Sequence, residues 1–172
     1  MTGSRFCRAV ICAALFALPF SVSAAADEED ATMTFKSLTP DAALKVATAA
    51  LEACRAEGFQ VAVAVVDRAG VTQVLIRDRF AGTHTIETST RKAWTAASFK
   101  ASTSEMAEMV KSGEIAGIEQ LPYVALIGGG VIIEDGEGSL LGAVGVSGAP
   151  GGDRDQDCAE AGIAAIEDQI AF

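Results

Sequence analysis

The hydrophobic positions of this chain first follow a helical period, beginning near residue 40. Thr39, Pro40 and Asp41 form a typical helix start, because threonine caps free N–H groups and proline suits the first turn. An acidic residue there also favours the positive end of the helix. Gly58 is placed to end this helix. The apolar positions at helical spacing are Leu44, Ala47, Leu51 and Cys54.

The pattern then changes to the period of two that is typical of strands. Residues 60–67 alternate valine with smaller side chains, and residues 71–77 form a second apolar run. Arg68, Ala69 and Gly70 separate the two runs by a tight turn. The sequence therefore predicts a β-hairpin.

Helical spacing returns in the middle of the chain. Residues 85–100 predict a helix in which Ala93, Ala96 and Ala97 share much of one side. Residues 104–110 predict a further short helix. The connection over residues 112–121 shows neither the helical nor the strand period, and its conformation is not predicted.

Three more short apolar runs follow, separated by glycine-rich turns, and a last helix begins after Gly152. The predicted strands are residues 123–127, 131–134 and 139–146. The element order is helix, two strands, helices, three strands, helix. Because hairpins dominate this order, we expect an α+β domain with a five-stranded, largely antiparallel sheet.

The first 26 residues predict a signal peptide rather than part of the fold. Arg5 and Arg8 precede an apolar run of about a dozen residues, and residues 23–26 offer an A-x-A-type cleavage site. A bilayer span needs roughly 20 apolar residues, so an N-terminal membrane anchor is the less favoured alternative. We expect a periplasmic or secreted protein with a loose lead over residues 27–37 and one domain over residues 38–172.

The charge of the chain argues against polyanionic partners. The chain carries 13 basic and 23 acidic residues, a formal net charge of −10, and loss of Arg5 and Arg8 makes it more negative still. Such a charge repels phosphate backbones and anionic membrane surfaces. We therefore expect no nucleic-acid binding and no stable membrane insertion.

Cys54 and Cys158 are the cysteines that lie beyond the predicted leader. Export permits a disulfide between them. The alternative is that both are small buried hydrophobic residues on helices. The residues alone leave both interpretations open.

His84 is the one histidine of the chain. A single histidine excludes a His-rich metal site, and neither a zinc C-x-x-C pattern nor a C-x-x-C-H haem-attachment motif is present. The sequence also has no G-x-S-x-G turn, which would carry the serine of a Ser-His-Asp triad. We assign no catalytic residues, leave the metal question open, and favour a binding protein over an enzyme. His84 is an exposed residue in a loop or near a helix start, or else an axial haem ligand or a substrate hydrogen-bond partner.

Two further clusters have a structural and a functional interpretation. Glycines within residues 142–148 permit close approach, either of a packed helix or of a ligand, and we favour the helix. Arg91 and Lys92 lie beside Trp94, the single tryptophan. We favour packing of Trp94 in the core or at a subunit contact, and the alternative is that a ligand carboxylate binds Lys92 or Arg91.

Three motifs occur in an order and spacing found in one known family. The hairpin Val65-Val66-Asp67-Arg68-Ala69-Gly70 is similar to a V-V-D-x-x-G pattern. The segment from Lys92 to Phe99 is similar to K-A-x-T-A-x-x-F. Residues 142–148 and 155–162 are similar to G-A-x-G-V-S-G and D-x-x-x-A-x-A-G. Together the motifs resemble the GlcG/HbpS family of small haem-binding and haem-degrading proteins, over nearly all of residues 38–170.

The resemblance implies a profilin-like or PAS-like domain with the first and last helices on one face of a five-stranded antiparallel sheet. It also implies assembly into homo-oligomers. In that architecture Cys54 and Cys158 lie close to each other, which favours the disulfide.

The resemblance further implies an exported protein that binds haem as a carrier or sensor, with or without slow haem degradation. The candidate haem contacts are His84, Trp94, Thr95 and Phe99. One alternative is a periplasmic sensor or accessory domain that binds a small carboxylic acid or alcohol, with Arg91 and Lys92 holding the carboxylate. The other is a structural oligomer that binds another exported protein.

Overall fold

The computed structural model describes residues 31–172. The predicted signal peptide lies outside the described residues, as do the first residues of the predicted lead. Residues 31–39 form neither helix nor strand. The segment from Thr34 to Phe172 is one compact unit.

Five α-helices, four strands and one short 3-10 helix make up the described part of the chain. The helices are α1 (Pro40–Ala56), α2 (His84–Phe99), α3 (Thr103–Ser112), α4 (Gly152–Ala164) and α5 (Glu167–Ile170). The strands are β1 (Ala62–Asp67), β2 (Thr72–Arg77), β3 (Gly130–Glu134) and β4 (Leu140–Ser147). The 3-10 turn is Ile118–Gln120. None of these helices is long and apolar enough to cross a membrane.

The helix starts follow the chemistry of the sequence. The Thr39 hydroxyl accepts a hydrogen bond from Ala42 N at 3.2 Å, and Pro40 occupies the first turn of α1, as predicted. Helix α3 begins with a full capping box, in which the Ser102 hydroxyl and the Glu105 carboxylate each accept a backbone N–H of the other residue.

The sheet has four strands in the order β2-β1-β4-β3, and every neighbouring pair is antiparallel. The antiparallel α+β fold is confirmed, but the prediction of a fifth strand over residues 123–127 is wrong. The peptide groups of this segment bond to side chains of α2 instead of a strand. The Arg91 guanidinium donates to the carbonyls of Tyr123 and Val124, and Ala125 N donates to the Thr95 hydroxyl at 3.0 Å.

The two faces of the sheet have different helical layers. Helices α1 and α4 pack together on one face, against the valines at positions 63, 65, 144 and 146. Helix α2 covers the other face, where the buried residues are small: Ala64, Val66, Ala93, Ala96, Ala97 and Ala143. The first and last long helices therefore share one face of the sheet.

Small residues bring α2 very close to the central strand β4. A Cβ atom on Gly145 would overlap Ser89 O and would lie 2.6 Å from Ala93 N. The glycine-rich run in β4 thus serves helix packing, which is the interpretation that the sequence favoured.

A disulfide joins Cys54 of α1 to Cys158 of α4 across 104 residues of sequence. The two cysteines are 0% and 4% exposed, so the bond lies inside the core between the two helices. The question that the residues left open is thereby settled in favour of the disulfide.

Candidate functional site

All six residues predicted to bind a ligand lie on α2, but they do not form one surface. His84 is the first residue of the helix and Phe99 is the last. At a rise of about 1.5 Å per residue, roughly 22 Å separates them along the helix axis. A single flat ligand therefore does not contact both ends, and each residue has its own surroundings.

His84 is exposed to solvent at the start of α2. Its imidazole lies over the backbone of Gly82, where an added Cβ would come within 2.7 Å of Cε1. No described side chain forms a hydrogen bond with either ring nitrogen. The structure therefore leaves the imidazole accessible for a bond from outside the chain.

Two large apolar side chains near His84 in sequence are also exposed. Phe80 is 78% exposed and Ile86 is 37% exposed. The Arg79 guanidinium lies 5.8 Å from the centre of the Phe80 ring. Burial of the Phe80 side chain against an apolar surface would be favourable, so Phe80 is a candidate contact residue. Phe80 is not among the predicted contacts, because one aromatic residue between Arg79 and Ala81 forms no periodic apolar pattern.

Arg91 is occupied by contacts inside the chain. Its guanidinium donates to the carbonyls of Pro122, Tyr123 and Val124 at 2.9–3.1 Å and lies 3.6 Å from Glu87. These contacts fasten the 122–124 segment to α2. These contacts within the chain account for Arg91 at this position, and no ligand is needed to explain its charge.

Lys92 is 1% exposed and forms a buried ion pair with Asp155 of α4. Its ammonium donates to Asp155 Oδ2 at 2.7 Å and to Val146 O at 2.9 Å. The other carboxylate oxygen of Asp155 accepts from Ala149 N at 2.9 Å. Lys92 therefore already has a carboxylate partner within the chain.

Burial dominates the electrostatics of this pair. Loss of solvation lowers the pKa of Lys92, against the opposing pull of Asp155. Loss of solvation likewise raises the pKa of Asp155, against the effect of the Lys92 ammonium. Gly129 leaves room for the ion pair, because a Cβ atom at this position would lie 3.1 Å from Lys92 Nζ.

Trp94 and Thr95 also have structural contacts. Trp94 is half-buried, with its ring edge-on to Tyr123 at 5.1 Å between centroids. The same ring covers Gly70 in the β1–β2 turn. Thr95 is fully buried and its hydroxyl accepts from Ala125 N. Phe99, at the far end of α2, is 38% exposed.

Two acidic residues near the start of α4 have basic partners within the chain. Among residues 31–172, no group of three or more histidine, cysteine or carboxylate side chains is arranged to hold a metal ion. Asp155 faces Lys92, and Asp157 lies 3.3 Å from Arg154.

Fold and surface together define a small α+β domain with a four-stranded antiparallel sheet, a disulfide between its outer helices and one accessible imidazole. The sequence matches the family model described as "Haem degrading protein HbpS-like" over residues 38–164. The chain therefore belongs to the HbpS-like family, as the sequence motifs indicated.

Solved structures show the same fold. HbpS of Streptomyces reticuli, solved as a double mutant, is 37% identical with a TM-score of 0.75, covering 82% of this chain and 94% of that one. ORFY of Klebsiella pneumoniae is 28% identical with a TM-score of 0.74, covering 80% and 95%. PduOC, solved as a complex with heme, is 30% identical with a TM-score of 0.68, covering 76% and 95%.

One curated relative is much longer than this chain. The corrinoid adenosyltransferase PduO of Citrobacter freundii is 38% identical over 117 residues, which are 65% of this chain and 34% of that protein. The chain spans about a third of the length of this relative.

Proposed function

We propose that this chain is an exported haem-binding protein, acting as a carrier or sensor. The observation that carries the proposal is the match to the HbpS-like family together with the similarity to PduOC, which was solved with heme bound. The structure adds a chemical argument, because it leaves the one imidazole of the chain exposed to solvent and without a side-chain partner among the described residues.

His84 and its neighbours in sequence include the kinds of group that a haem needs. A neutral imidazole nitrogen is a common axial ligand of haem iron. The apolar porphyrin needs hydrophobic contacts, which exposed Phe80 offers, and its propionates need cations, which exposed Arg79 offers. When bound, the iron would supply ligand binding or redox chemistry, and the chain would supply the imidazole and the apolar contact.

The remaining predicted contacts support the proposal less directly. Trp94 and Thr95 fasten α2 to neighbouring segments, and Phe99 lies too far along the helix to share a ligand with His84. The small-acid alternative needed Arg91 and Lys92, whose donors have partners inside the chain. No described contact favours that alternative over haem.

A haemin titration tests the proposal. We expect saturable binding of the wild-type protein with a shifted Soret band. His84→Ala should lower the affinity at least tenfold and change the band, because the axial nitrogen is lost. Ser98→Ala is the matched control, since Ser98 is an exposed polar residue at the other end of α2. Featureless, non-saturating absorbance of the wild-type protein would refute haem binding, and an unchanged H84A titration would refute the ligand role alone.

Export, self-assembly and haem turnover are further parts of the proposal. Fractionation of expressing cells with N-terminal sequencing of the product tests cleavage after the predicted leader. A buried disulfide fits an oxidising compartment. Incubation of the haem complex with a reductant and oxygen tests degradation, which would appear as loss of the Soret band with release of iron.

A further inference from the structure

The free edge of β2 carries unpaired peptide groups. Asp78 N donates to Val61 O at 2.9 Å, one position beyond the pair of Ala62 and Arg77. Because hydrogen-bonded and non-bonded pairs alternate in an antiparallel ladder, Leu75 and Arg77 point their N–H and C=O groups away from β1. No strand among residues 31–172 pairs with this edge.

The side chains of this edge lack the usual protection against pairing. Strand β2 reads T-Q-V-L-I-R, with no proline or lysine and one charge at its end. Leu75 is 42% exposed and the preceding Val71 is 62% exposed. Natural proteins block exposed edges with charges, prolines or bulges, and the bulge here lies at the other end of the strand, next to Thr72. An open, apolar edge of this kind is a pairing surface.

We propose that β2 pairs antiparallel with β2 of a second copy, so that the two sheets join into one sheet of eight strands. The dyad passes through Leu75, which lies opposite Leu75 of the second copy. This interface gives a specific form to the self-assembly included in the proposed function, on which it rests.

The register around Leu75 is self-complementary on both faces of the sheet. Leu75 lies opposite Ala64 of β1, on the α2 face, so the two leucines meet in the α2 layer. Val74 and Ile76 pack against the α1 and α4 core, and the dyad sets Val74 opposite Ile76. Two-fold symmetry thus matches apolar side chains with apolar side chains in each layer.

The negative charge of the chain is not concentrated at this edge. The dyad sets the Arg77 of each copy opposite Gln73 and away from the other arginine. The hairpin around β2 also carries Arg68 and Arg79. Asp78 is neutralised by Arg55, with Nε 2.6 Å from Oδ2. Two negative molecules therefore meet at a surface without net negative charge.

Light scattering after size exclusion, with no haem added, tests the interface. We expect the wild-type chain to have an even multiple of the monomer mass, and Leu75→Lys to halve that mass, because the dyad would bring two ammonium groups together. Leu44→Lys is the matched control, since Leu44 is 50% exposed on α1, away from β2. Circular dichroism checks that both variants are folded.

A cysteine pair gives the second readout. Leu75→Cys should form an interchain disulfide under mild oxidation, whereas Thr72→Cys should not, because the dyad sets Thr72 opposite residue 78. A monomeric wild type would overturn both self-assembly and this interface. An oligomer that survives L75K, without an L75C cross-link, would overturn the interface and leave self-assembly and haem binding standing.

Discussion

Lys92 of α2 and Asp155 of α4 hold each other across the sheet, with Nζ 2.7 Å from Oδ2 and both residues nearly inaccessible to water. The two helices lie on opposite faces, so this ion pair connects the two helical layers near the start of β3. Val146 O and Ala149 N complete the hydrogen bonding of the pair.

Removing one member of this pair should be strongly destabilising. We expect Lys92→Met to lower the free energy of unfolding by about 3–5 kcal/mol, because it leaves a carboxylate buried without a cation. Urea denaturation measures the change. Lys111→Met, which breaks an exposed pair with Glu108, is the control and should cost about 1 kcal/mol or less. K92M/D155N should recover part of the loss, and equal costs for K92M and K111M would contradict this assignment.

The Arg55–Asp78 pair predicts an acid-sensitive fold. The hydrogen bonds from Arg55 lower the pKa of Asp78 from its ordinary 3.8 to about 2. A carboxyl with a lowered pKa in the folded state adds stability above its unfolded pKa, and that stability is lost as the pH falls from about 4 to 2. We expect thermal melting temperatures to drop across this window, and Asp78→Asn to flatten the drop. An identical slope in the variant would show that Asp78 does not contribute.

Loss of the disulfide should destabilise the domain through the unfolded state. The bond closes a loop of 104 residues, for which chain entropy gives about 4–5 kcal/mol. We expect Cys54→Ala/Cys158→Ala to lower the free energy of unfolding, measured by urea denaturation, by about this amount. Peptide mapping without reduction should yield a Cys54–Cys158 linked fragment. A reductant that leaves wild-type unfolding unchanged would argue against the bond.

The contact between α2 and β4 depends on the absence of a side chain at Gly145. A methyl group there overlaps the backbone of α2, so Gly145→Ala should cost about 3 kcal/mol. Gly58→Ala is the matched comparison, because Gly58 has open space but a φ of +82°, and strain alone should cost about 1 kcal/mol. Chemical denaturation of both variants measures the difference, and a Gly145→Ala cost no larger than that of Gly58→Ala would contradict tight packing.

Local patterns predicted most of the fold. The start of α1 at Thr39, the β1–β2 hairpin and α2 all depend on neighbours in sequence, and the structure has them within a few residues of the predicted bounds. The apolar run 123–127 was misassigned because its hydrogen-bond partners, Arg91 and Thr95, lie about thirty residues earlier. The spacing of apolar residues over a few neighbouring positions does not reveal such a distant partner.

The candidate site was harder to predict for the same reason. Lys92 and Trp94 suggested a ligand site because cations and an aromatic ring stand together in sequence. Their partners are distant, since Asp155 lies 63 residues after Lys92. The sequence could not pair Asp155 with Lys92, because burial and pairing are properties of the folded chain. The exposure of His84 and Phe80 likewise required the fold.

The bond between Cys54 and Cys158 makes the chain a covalent ring that contains the whole sheet, α2 and α3. A protease that cuts one exposed loop inside this ring opens it without releasing a fragment. The cut protein keeps its mass on a non-reducing gel, because the disulfide still links its two pieces. A second cut within the ring is needed before any part of the sheet can leave.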